Sequence, residues 1–155
     1  CIRDRHCIRV IYSREYEKPN PSYIADRVYE LYQKYNNLYV WIDGSNRAMV
    51  NELKIRFGED PNYEHVEDVS IESNRILPVN FNTDHKTMLA NLYNVVNRQY
   101  LAVPEQYDRL IISLRTAWAN EYTLDKTETS YSDSLDALRL AVKSYEISSS
   151  YGIGY

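Results

Sequence analysis

"LYVWIDGSN", Leu38 to Asn46, is the stretch on which the fold turns. Leu38 to Ile42 is continuously apolar, which suits a strand covered on both faces of a parallel sheet. The run stops at Asp43. Gly44, Ser45 and Asn46 then turn the chain into a helix carrying Met49, Val50, Leu53 and Phe57, closed by Gly58.

On the N-terminal side, Ile8 to Tyr16 alternates apolar and polar residues and predicts a strand with one buried face. "KPNPS" ends it, and Pro21 suits the first turn of a helix whose apolar positions are Ile24, Val28, Leu31, Tyr32 and Tyr35. On the C-terminal side, Glu59 to Arg75 is acidic and aperiodic, the pattern of a long surface loop. "ILPVNF", Ile76 to Phe81, resumes as a strand, and Thr83 and Asp84 offer caps for a helix with Met88, Leu89, Leu92, Val95 and Val96 inside. "YLAVP" is briefly extended, Gln106 to Asn120 is helical around Leu110, Ile111, Leu114 and Trp118, and "TLDKTETS" is a loop. A last helix follows in "YSDSLDALRLAV", Tyr131 to Val142, and "SSSYGIGY" reads as a flexible tail.

Strands alternating with helices predict an α/β sheet with helices on its faces. Leu38 to Ile42 is expected at its centre, parallel to Ile76 to Phe81, since right-handed crossovers dominate such connections. No linker divides the chain, so residues 1–146 are read as one domain and 147–155 as the tail.

The composition narrows the function classes. At 155 residues with a formal charge of −4, bulk electrostatics announce no nucleic-acid partner, and one would need a local basic surface. The chain has four glycines and neither a GxxxxGK nor a GxGxxG motif, so no nucleotide-phosphate cradle is encoded. Apolar runs are too short to span a bilayer. Cys1, His6 and Cys7 form a weak metal pattern, and reduced thiols are expected. The sixteen tyrosines suit half-buried packing positions.

Three carboxylates stand out. Asp43 follows a strand at its carboxyl end, where open α/β sheets bind ligands, although Asp-Gly is also ordinary turn chemistry. In the last helix, Leu135, Leu138, Val142 and Tyr145 form one stripe. Asp133 aligns with Ala137, Leu140, Ala141 and Ser144, which predicts a place at the edge of the core. There it needs compensation, from backbone N–H groups at the helix start or from a divalent cation. Asp136 aligns with Arg139 and Lys143, and an ion pair explains it.

Taken in order, "LYVWIDGSN", "ILPVNFNTDHKTMLANLYNVVNRQYLAVP", "YDRLIISLRTA" and "YSDSLDALRLAV" resemble the nuclease domain of the large terminase subunit of tailed viruses, over roughly Ile8 to Val142. The resemblance implies a ribonuclease H-like three-layer fold, a mixed central sheet flanked by helices. It implies a metal-dependent endonuclease that cuts double-stranded DNA during genome packaging in the host cytoplasm, with portal and small terminase subunit as partners and no membrane. Two ions, Mg²⁺ or Mn²⁺, would be held by acids matching Asp43 and Asp133, with Asp136 accompanying them and Asn46 supporting the site. Lys86, Arg98, Arg109 and Arg115 are the candidate DNA contacts.

The family's first acid has no match. It lies on a strand preceding the one matched by Ile8 to Tyr16, and Asp4 is too close to that strand. A chain that starts after the first strand is therefore expected, with the first acid either outside the fragment or lost by the protein, and the fragment should cut poorly or not at all alone. The competing readings are a ribonuclease H-like module that docks packaging partners without cutting, and an unrelated α/β domain with capping aspartates.

Overall fold

A computed structural model describes residues 7–35, 38–60, 75–120 and 123–145. The chain forms two compact units, one from residues 1–15 and 84–155, the other from residues 16–83. The sequence carries no linker at either crossing. The expected tail and the acidic residues 61–74 lie outside the described residues.

The second unit is built on two parallel strands. β1 belongs to the first unit (Ile8–Arg9). The second unit starts with α1 (Pro21–Tyr35), followed by β2 (Val40–Asp43), α2 (Arg47–Arg56) and β3 (Ile76–Val79). Asn20 opens α1 by accepting the Ser22 N–H at 3.0 Å, and Pro21 takes the first helical position, where its missing N–H costs nothing. β2 and β3 run parallel with Val40 opposite Ile76 and Asp43 opposite Val79. Ala25, Leu53 and Ile76 form the buried core, with Val28, Val40, Ile42, Met49 and Phe57 packed against it. Gly58, at φ +72°, ends α2 in a left-handed turn, and the Glu59 N–H returns to the Lys54 carbonyl at 2.8 Å. The Glu59 carboxylate then accepts the Arg75 and Ile76 N–H groups at 2.5 and 3.1 Å, tying the base of the acidic segment to the start of β3.

In the first unit β1 pairs in parallel with β4 (Leu101–Ala102). α3 (Phe81–Asn97), α4 (Asp108–Thr116) and α5 (Ser132–Ala141) supply the core, with a hairpin of β5 (Ala119–Asn120) and β6 (Thr123–Leu124) between the last two helices. Leu92, Leu110, Leu124, Leu135, Leu138 and Val142 are buried together, and Ile8, Val10, Leu101, Val103, Tyr107 and Leu114 pack around them. Asn91 crosses from α3 to donate to the Val142 carbonyl at 3.0 Å, satisfying an orphan at the end of α5.

The α/β class holds, and several boundaries move. The strand expected over Ile8 to Tyr16 keeps ladder geometry only at Ile8–Arg9, because β4, its partner, is itself two residues long. β2 has one strand neighbour, β3, among the described residues, where a central position was expected, and its four residues are half-buried rather than fully covered. α3 starts at Phe81, ahead of Thr83 and Asp84, because the Asn80 side chain accepts the Asn82 N–H at 3.0 Å and caps the helix first. α4 stops at Thr116, which leaves Trp118 63 % exposed beyond the helix. Part of the expected "TLDKTETS" loop is a strand, and Cys7 is disulfide-bonded where a reduced thiol was expected.

Gly44 sits where β2 leaves β3, its N–H donating to the Val79 carbonyl at 2.9 Å. A Cβ there would lie 3.1 Å from the Val79 carbonyl oxygen and 3.4 Å from the Pro78 Cβ. Gly44→Ala therefore destabilises the protein by roughly 1–3 kcal/mol through overpacking, read as a lower midpoint in urea denaturation. Unchanged stability would mean that β2 and β3 do not approach as described.

Candidate functional site

Asp43 is the last residue of β2, at the carboxyl end of the parallel pair. Its Oδ1 accepts the Ser45 N–H at 2.9 Å, and its carbonyl accepts the Asn46 N–H at 3.2 Å. Asn46 caps α2 by accepting the Met49 N–H at 3.2 Å. Both side chains thus shape the strand-to-helix turn. An ionised carboxylate has about four lone-pair sites, so one amide bond leaves Asp43 acceptor capacity for a further donor or cation.

Asp133 and Asp136 belong to the first unit, on α5, whereas Asp43 belongs to the second. Tyr131, left-handed at φ 51°, opens the helix without a side-chain cap. Its carbonyl accepts both the Ser134 N–H and the Ser113 hydroxyl at 3.0 Å. Asp133, in the first turn, is exposed, along with Ala137, Ala141 and Ser144. Asp133 was expected at the core edge and stands at the surface: of the face it shares, Leu140 is buried while Ala137, Ala141 and Ser144 are exposed. The buried residues of the helix are Ser134, Leu135, Leu138, Arg139 and Leu140, followed by Val142.

Asp136 is engaged on both oxygens. Arg139 Nη2 lies 2.7 Å from Oδ1, and Lys126 Nζ lies 2.9 Å from Oδ2. Lys143, its other expected partner, pairs with Asp84 instead, at 3.2 Å. Arg139 is 1 % exposed, and its Nη1 lies 2.8 Å from Nδ1 of His85 on α3. Next in sequence to Asp133, Ser134 donates to Glu15 at 2.6 Å. The other Glu15 oxygen meets Arg109 at 3.0 Å, and the Arg109 guanidinium lies over the Tyr131 ring.

Sequence reasoning missed His85, Glu15 and the burial of Arg139. For Arg139 a signal existed, since position 139 falls between Leu135 and Val142 on the face that packs inward. Nothing local marks His85 or Glu15 as partners, because each meets its contact across long stretches of chain.

Lys86, Arg98, Arg109 and Arg115 are all exposed. Among the described residues, no three His, Cys, Asp or Glu side chains gather into a group that could hold a metal ion. Among those residues, too, no helix is long and apolar enough to cross a membrane. Elsewhere in the unit, hydrogen bonds from the Thr127 hydroxyl, then the Thr127 and Glu128 N–H groups, hold the Asp125 carboxyl below its usual range and order the turn after β6.

No protein-family model, curated protein or solved structure matches the chain.

The two helical acids differ in what their removal leaves behind. Asp136→Asn strands a buried guanidinium and destabilises the protein by about 3–5 kcal/mol, the cost of breaking a buried pair from one side. Asp133→Asn, at an exposed first-turn position, stays within about 1 kcal/mol of wild type. Thermal or urea melting of the two variants distinguishes them, and equal losses would contradict the assignment.

Proposed function

We propose that this chain is the nuclease domain of a viral or proviral terminase, a metal-dependent endonuclease that cuts double-stranded DNA during packaging. The observation that carries the reading is the placement of Asp43 as the last residue of a strand, at the carboxyl end of a parallel pair. That end of an α/β sheet is where ligands bind. Asp133, exposed in the first turn of α5, is the second acid of the reading.

The donors fit the chemistry in part. Asp43 and Asp133 are hard oxygen ligands of the kind that Mg²⁺ and Mn²⁺ take. Asp136, held between Lys126 and Arg139, serves α5 as an anchor. When bound, the ions would supply an activated water and stabilise the leaving oxygen. The acids' part is to fix the ions' position and balance their charge. Lys86, Arg98 and Arg115 would meet phosphates, while the Arg109 charge is directed at Glu15. Portal and small terminase subunit are the partners this reading entails, in the host cytoplasm.

A second reading, a ribonuclease H-like module that docks packaging partners without cutting, is favoured by one observation. The Asp43 and Asn46 side chains are both used in the turn into α2. Plasmid nicking by the full-length protein with Mg²⁺ or Mn²⁺ separates the two. Under the nuclease reading, Asp43→Asn and Asp133→Asn each lower the rate on the order of 10²-fold or more. Melting run alongside shows Asp133→Asn folded as wild type. If Asp133→Asn nicks at the wild-type rate, the nuclease reading fails.

A further inference from the structure

We propose that His85 is a proton-operated latch holding α3 to α5 and to the segment after β6, closed while its imidazole is neutral and released when the ring is protonated. His85 Nδ1 lies 2.8 Å from Arg139 Nη1, and its Nε2 lies 3.3 Å from the Leu124 amide nitrogen. A guanidinium only donates, and so does a backbone N–H. Both ring nitrogens therefore face donors, whereas neutral imidazole has one lone pair and imidazolium has none. The neutral ring accepts through one nitrogen or the other, from the Leu124 N–H at Nε2 or from Arg139 at Nδ1, according to its tautomer.

A second proton removes the ring's one lone pair, and with it the acceptor that α3 offers either Arg139 or the Leu124 N–H. It also sets a new positive charge against a guanidinium that is 1 % exposed. Arg139 and Asp136 face the ring from α5, and Lys126 faces it from the segment after β6. On the ring's own helix, Asp84 is paired with Lys143. Asp136 alone among the first three favours the imidazolium, and Arg139 and Lys126 already occupy it. Burial first, then Arg139, holds the His85 pKa below its ordinary 6.5, with Lys126 adding to the effect and Asp136 opposing it. The unfolded ring thus binds its proton at a higher pH than the latched ring. Stabilisation by the latch is complete above the ordinary histidine range and is lost as pH falls from there through the lowered folded value.

The test is an NMR titration of the full chain with ¹⁵N-labelled histidine, paired with hydrogen exchange. At pH 8 the His85 nitrogens should report a neutral ring, and it should charge only below the ordinary histidine range. As it charges, amides 123–126 should lose protection while the core amides of Leu92 and Val95 keep theirs. His85→Gln, whose side-chain oxygen can accept from Arg139 and cannot take up a proton, should lack this acid-triggered loss. A ring that titrates at or above pH 6.5, or charges with protection unchanged, overturns the proposal. So does an acid-triggered loss that persists in His85→Gln. If that variant does not fold, the two wild-type readouts decide the matter. None of these outcomes depends on DNA cleavage.

Discussion

A guanidinium shut away from water is the constraint around which the first unit is organised. Arg139 is 1 % exposed on a ten-residue helix, and an unpaired charge in that position would cost more than its neighbours' burial returns. Its answer comes from two directions, Asp136 one turn earlier on α5 and His85 on α3. Lys126 then binds the outer oxygen of Asp136 and draws in the segment after β6. Leu135, Leu138 and Val142 carry α5 into the apolar core, but a leucine face fits several registers about equally well. A guanidinium that finds both acceptors at one register does not, and Asn91 fixes the far end of the helix by meeting the Val142 carbonyl.

The second unit rests on a close approach of backbones. β2 and β3 hold four residues in parallel register, and Gly44 leaves the pair with its N–H still bonded to the Val79 carbonyl. A side chain there would press on that same oxygen. Asp43 and Asn46 flank the glycine and spend one acceptor each on the amides that the turn exposes. The strand end and the helix start are therefore one device. The carboxylate stands at the carboxyl end of the parallel pair, where the turn needs an acceptor.

Legibility in the sequence followed the range of the interactions. α1, α2 and α5 were readable because their apolar spacing, Pro21 and Gly58 act within a few residues. The parallel pairing of Leu38–Ile42 with Ile76–Phe81 was readable because an apolar run, a helix and a second apolar run admit few topologies. The start of α3 was misplaced because Asn80, Thr83 and Asp84 are all competent caps and local sequence does not rank them. The long strand from Ile8 to Tyr16 was over-read, since alternation specifies a half-buried surface and says nothing of how long its partner is. At the candidate site, Asp136 was correctly given an ion pair with Arg139. The depth of that pair was lost by treating Arg139 as part of a solvated stripe. His85 was out of reach, because its partners are 39 and 54 residues away.

Asp133 and Asp136 show why chemistry is better sought at an acid the fold leaves unexplained. Three residues apart on one helix, they lie only about 60° apart around its axis, yet Asp133 faces solvent while Asp136 reaches the buried guanidinium. Asp136 repays its burial through Arg139 and Lys126, and its presence needs no further reason. Asp133 gains from the N-terminal end of the helix dipole only about 0.3–1 kcal/mol, a return that an acid at another first-turn position would equal. Its neighbour Ser134 is tied down by Glu15, and the preceding turn is fixed by Ser113 at the Tyr131 carbonyl. The backbone that carries Asp133 is therefore fastened on both sides, while its carboxylate stands exposed. Ordering a ligand's backbone in advance removes part of the cost of binding a cation, which is what sets an exposed first-turn acid apart from one already paired.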